Sequence, residues 1–201
     1  MNPNEIKKPS THYPIHELLT RRWSPRAFSD QPVEKEKLQR IFEAARWAPS
    51  SSNIQPWHFL VGFKGDEVYM KLFDTLVEFN QLWAKTAPLL FLAISRRENP
   101  RGGENTIRKY DLGQAVAHLT FQATAEGLYV HQMGGFDTAK ASEMLEIPAE
   151  YEVHVAIAIG YQGDPEVLHP NLKKQEYTER SRRPLEETVF SGKFGNKAEF
   201  I

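Results

Sequence analysis

Apolar residues recur along the chain at two periods, and the switches between them outline alternating helices and strands rather than repeats. In "EKEKLQRIFEAARWA", Leu38, Ile41, Phe42 and Ala45 share one helical face, with Pro32 near the start. "WHFLVGF" (Trp57 to Phe63), "PLLFLAIS" (Pro88 to Ser95) and "EVHVAIAIGY" (Glu152 to Tyr161) are short apolar runs edged by Pro or Gly, the signature of buried strands. "DEVYMKLFDTLVEFNQLWAKT" predicts one helix and "YDLGQAVAHLTFQATAEGL" another. The second carries small residues at Gly113, Ala115, Ala117, Ala123 and Ala125, a composition suited to a central helix packed closely on several sides. "HQMGGFD" leads into a helix, "TAKASEMLEI", for which Asp137 is the expected N-cap. From Gly163 onward the chain is polar and nearly aperiodic. Helices interleaved with three or four strands predict an α/β or α+β domain.

Composition narrows this picture. With 40% hydrophobic residues in 201, the chain has enough apolar material for one globular domain covering 1–201. A formal net charge of -1 gives no global field toward nucleic acid or an anionic membrane, and no window reaches the roughly 20 apolar residues of a membrane span. The absence of cysteine removes disulfides, thiolate nucleophiles and iron–sulfur ligation, so a cytoplasmic location is expected. No G-x-G-x-x-G follows a strand and no P-loop occurs, and the seven histidines show no metal-binding spacing, so no metal is expected.

Two stretches carry candidate chemistry. "RRWSPRAFSD" (Arg21 to Asp30) concentrates three arginines in a chain that is otherwise balanced in charge, and in an extended segment Arg22, Ser24 and Arg26 point the same way. "AARWAPSSSNIQPWHFLV" ends a helix at Pro49 and lines up Ser50, Ser51, Ser52, Asn53 and Gln55 before the first strand. Alone, the second stretch reads equally well as an ordinary turn, since Ser, Asn and Pro form turns without any ligand.

Taken together and in this order, the two stretches closely resemble the signature of the FMN-dependent nitroreductase family. The resemblance continues through "GGFD" at Gly134, "IGY" at the end of the last strand and "RSRRPLEETVF" in the tail. It implies an α+β nitroreductase-like fold, with a central mixed sheet flanked by helices, in a swapped homodimer. Residues 163–201 would form an arm around the partner, anchored by Leu185, Val189, Phe190 and Phe194. FMN would be held by Arg22, Trp23, Ser24 and Arg26, by Met133, Gly134 and Gly135 near the reactive ring, and by Arg180 and Arg182 at the phosphate. Pro49, Ser50, Ser51, Asn53 and Gln55 would meet the flavin bound mainly by the partner, with Asn80, Gln81 and Lys85 as further candidates.

Planar guanidinium groups suit a phosphomonoester because they offer paired, charge-assisted hydrogen bonds. The implied activity is ping-pong hydride transfer from NADH or NADPH through flavin N5 to a nitroaromatic, quinone or similar acceptor, with no catalytic side chain required. Enone or aldehyde reduction, dehalogenation and flavin fragmentation on the same scaffold remain open. So do a flavin-storing or flavin-sensing protein and an interaction domain without cofactor.

Overall fold

A computed structural model describes residues 2–201. Four strands, β1 (Trp57–Phe63), β2 (Leu89–Arg96), β3 (Tyr129–Met133) and β4 (Tyr151–Gly160), form one sheet in the order β1-β2-β4-β3. Every pairing in it is antiparallel, which corrects the expected mixed sheet. The helices are α1 (Pro3–Ile6), α2 (Glu17–Arg21), α3 (Lys35–Arg46), α4 (Glu67–Thr75), α5 (Glu78–Ala84), α6 (Arg108–Ala125), α7 (Thr138–Met144) and α8 (Pro170–Glu176). Among the described residues no helix is long and apolar enough to cross a membrane.

The unbroken apolar run of β2 is explained by cover on both faces. Side chains alternate across a strand, so Leu90, Leu92 and Ile94 pack with Tyr69, Leu72, Trp83 and Met133 on one side. Leu89, Phe91 and Ala93 pack on the other with Ile41 of α3 and Ala115 and Leu119 of α6. This places α6 across the sheet face opposite α4 and α5.

Two expectations for local structure are corrected. The stretch from Asp66 to Thr86 is two helices, because Leu76 adopts extended backbone and Val77 N–H donates to Gly135 O at 3.1 Å. A tertiary hydrogen bond to the glycine turn outcompetes one more turn of helix. The chain after Gly163 is not uniformly an arm either: Leu168, Leu172 and Glu176 are buried against the rest of the same chain, and α8 is part of the core. Sparse apolar spacing concealed this helix, which caps itself through His169, whose ring accepts from Asn171 N–H, followed by Pro170 at its first position. Asp137 does cap α7, accepting from Lys140 N–H at 2.9 Å.

Candidate functional site

The arginine segment is extended and alternates as its sequence demands. Trp23, Pro25 and Ala27 are buried while Arg22, Ser24 and Arg26 are partly open. Three ties fix it. His131 of β3 donates from Nδ1 to Pro25 O at 2.8 Å, Arg26 N–H donates to both carboxylate oxygens of Glu176 at 3.2 Å, and Trp23 Nε1 donates to Asn4 Oδ1 at 2.9 Å. The Trp23 side chain, 3% exposed and edge-on to Tyr129, is therefore a packing group. Only its backbone is left to meet a ligand.

The arginines differ in their commitments. Arg180 spends its guanidinium on backbone, donating to Thr20 O at 2.6 Å and to Arg22 O and Lys7 O, so it braces the segment from behind. Arg182 is exposed at the surface. Burial lowers the pKa of Arg22, and the neighbouring charge of Arg182 adds to the effect; Arg22 and Arg182 in turn lower that of Arg180 after its own burial. Arg26 is also lowered by burial, with Glu176 opposing, while burial raises the pKa of Glu176. The Nε–H of Arg26 is buried and has no partner among the described residues, and the guanidinium lies 6.0 Å from the Phe79 ring of α5. Crowded cations and an orphaned donor on one segment suit an anion chemically.

The glycine turn that follows β3 is tied to α5, the helix whose Phe79 faces Arg26. Gly135 O accepts from Asn80 Nδ2 at 2.9 Å as well as from Val77 N–H, and a Cβ on Gly135 would lie 2.9 Å from Asn80 Nδ2 and 3.0 Å from Val77 Cγ2. Gly134 is exposed, and a Cβ there would meet nothing within 4 Å. The protein packs the back of the turn and leaves its front open. Met133 points into the core at 3% exposure, so its side chain is withdrawn from the front. Gln81 donates to Phe73 O at 3.1 Å, and Lys85 is the C-cap of α5.

The serine loop lies elsewhere. Ser52, Asn53 and Gln55 have φ of 51, 56 and 52°, left-handed backbone at three non-glycine residues, each costing about 1–3 kcal/mol. Ser51 N–H donates to both carboxylate oxygens of the buried Asp111, at 3.2 and 3.3 Å, in the first turn of α6. Arg21, the first residue of the arginine segment, reaches Thr124 O at the far end of the same helix at 3.5 Å. Thirteen helical positions separate these anchors, roughly 20 Å at about 1.5 Å per residue. A single chain thus holds the two motifs apart.

The sequence matches the Nitroreductase family over residues 19–78 and 63–161, which takes in the arginine segment, the serine loop, the whole sheet and the glycine turn. The chain belongs to that family. Among solved nitroreductase-like structures, that of an oxidoreductase containing FMN is 37% identical, with a TM-score of 0.88, covering 95% of this chain and 98% of that one. A Stenotrophomonas maltophilia relative whose name couples NADH dehydrogenase with NAD(P)H nitroreductase is 27% identical over 175 residues, 78% of this chain and 88% of its own. The iodotyrosine deiodinase of Thermotoga neapolitana is 25% identical over 178 residues, 78% of this chain and 92% of its own.

Within this nitroreductase fold, the supporting residues were the ones hidden in the sequence. Asn4, Lys7, Asp111, His131 and Glu176 all hold motif segments in place from distant parts of the chain. None is marked by a local periodicity or motif, and the cue the sequence offers is Asp111 itself, an acidic residue in the first turn of α6.

Proposed function

We propose that the protein is an FMN-dependent NAD(P)H oxidoreductase working as a homodimer. The observation that carries the reading is the buried Nε–H of Arg26, unpartnered among the described residues, on the same partly open face of the extended segment as Arg22, whose charged neighbours Arg180 and Arg182 repel it. A phosphomonoester satisfies that donor and relieves the repulsion. Arg22, Ser24, Arg26 and Arg182 would hold the phosphate and ribityl end, while the open front of the turn at Gly134 leaves space for the ring. Arg180 serves the same site by bracing it.

FMN, when bound, supplies a ring that takes up and gives back hydride. The chain's own residues supply the rest: Asn80 and Val77 fix the Gly135 carbonyl, which sets the direction of the turn's backbone. The serine loop, roughly 20 Å along α6 from the arginine segment, serves the site of a second copy. A shallow apolar groove along α6, lined by Leu18, Ala44, Ala117, Phe121 and Ala125, and the tail aromatics Phe194 and Phe200, 94% and 77% exposed, give that copy its contacts.

Acid release of the bound chromophore followed by chromatography tests the reading. FMN supports it, whereas FAD, or no flavin after reconstitution, sinks it. Since one open space above the glycine turn serves donor and acceptor in turn, varied NAD(P)H at several fixed acceptor concentrations should give parallel double-reciprocal lines; intersecting lines would require a separate nicotinamide site. Reductive dehalogenation is the second reading, favoured by the deiodinase relative, and iodide release from iodotyrosine under anaerobic reduction tests it.

A further inference from the structure

The serine loop keeps its shape against its own backbone preferences. Its internal ties are Asn53 N–H to Ser50 O, Ile54 N–H to Ser51 O, Gln55 N–H to Ser50 Oγ and Gln55 Nε2 to Asn53 O, each at 3.1 Å. These close the turn on itself without attaching it to the fold. Attachment comes from Asp111, 1% exposed, whose carboxylate receives Ser51 N–H on both oxygens. A carboxylate only accepts hydrogen bonds and is costly to bury unless it is bonded, and the N-terminal turn of α6 favours its charge. On the outer side of this anchor Ser51, Ser52, Asn53 and Gln55 are all exposed.

We propose that Asp111 is a positioning residue for the flavin site. It pins the Ser50 to Gln55 loop in the left-handed shape that presents its polar groups to the flavin of the second subunit, while touching no ligand itself. This rests on the FMN homodimer reading above. Glycine adopts positive φ freely, so Ser52→Gly should hold the same shape with less dependence on the anchor.

The test is FMN titration of full-length protein followed by flavin fluorescence. Asp111→Ala should weaken binding about tenfold, the loss of one hydrogen bond to a charged group. Asp111→Asn, which keeps one acceptor oxygen, should stay within about threefold of wild type on the same scale. Adding Ser52→Gly to Asp111→Ala should recover most of the loss, a rescue that general loss of core packing would not give. Ser51→Pro removes the donated N–H from a surface position and should reproduce the Asp111→Ala loss, so the inference stays testable if the core variant does not fold. Wild-type affinity in Asp111→Ala or Ser51→Pro, or no recovery with Ser52→Gly, overturns the inference while leaving the flavin reading intact. A wild-type chain that binds no FMN overturns both.

Discussion

Arg26 sits half-buried with one donor unmet, and its nearest acid, Glu176, is 3.9 Å away and already engaged by backbone N–H. Arg22→Ala or Arg26→Ala is expected to weaken FMN binding by about 1.5–3 kcal/mol, ten- to a hundredfold, in a fluorescence titration. The two glycines separate stability from binding. Gly135→Ala should displace Asn80 and lower the unfolding free energy by about 1 kcal/mol, the worth of the lost hydrogen bond. Gly134→Ala should leave the denaturation midpoint unchanged and impair FMN binding, because only the ligand side meets the new methyl. His131 makes a pH prediction. Burial, with Arg26 and Arg22 nearby, lowers its pKa to about 4 from 6.5, although its bond to Pro25 O opposes the shift. Between pH 6.5 and 4 the unfolded chain binds a proton that the native chain refuses, so stability falls as pH falls, by on the order of 3 kcal/mol. Urea midpoints across this window should drop less steeply for His131→Gln than for wild type; equal slopes would refute the assignment.

At the scale of elements, the site is assembled by short helices that are weak alone. The seven-residue α8 is far below the length at which an isolated helix is stable, so packing and end contacts must hold it. Lys7 supplies one such contact: 8% exposed, it donates to Gln175 O and Thr178 O, each at 2.6 Å, at the C-terminal end of α8. A cation there also complements the helix dipole. Because Glu176 of α8 in turn holds Arg26 N–H, the anchor extends to the arginine segment. Lys7→Met should therefore lower unfolding stability by about 1.5–3 kcal/mol in denaturant titration and loosen FMN as well. A stability loss with unchanged FMN affinity would break the link between α8 and the arginine segment.

At the scale of the molecule, α6 divides the motifs between its two ends, and the homodimer reading follows from that division. The tail divides too: α8 packs into the core of its own chain, and the exposed aromatics begin later. Ending the chain after Arg182 removes Phe190, Phe194 and Phe200 while sparing α8 and its contact with Arg26. Such a protein should fold, sediment as a monomer and bind FMN poorly. A truncated monomer with full FMN affinity would show that one subunit forms the whole site.

The sequence by itself determined the helix of Leu38, Ile41 and Ala45, three of the four strands and the cap at Asp137, because each follows from local periodicity or a capping side chain. It also determined which face of the arginine segment opens outward, since alternation in an extended chain has a fixed period of two. Tertiary structure alone decided that the 66–86 stretch breaks at Leu76, that α8 joins the core, and that Trp23 and Met133 turn inward. It also decided that Arg180 binds backbone carbonyls rather than standing free, and that Asp111, His131 and Glu176 hold the motifs in place. The physical reason is range. Periodicity and capping act over a few residues, whereas a buried donor or carboxylate must find its partner wherever the fold brings one, here from 60 to 173 positions along the chain.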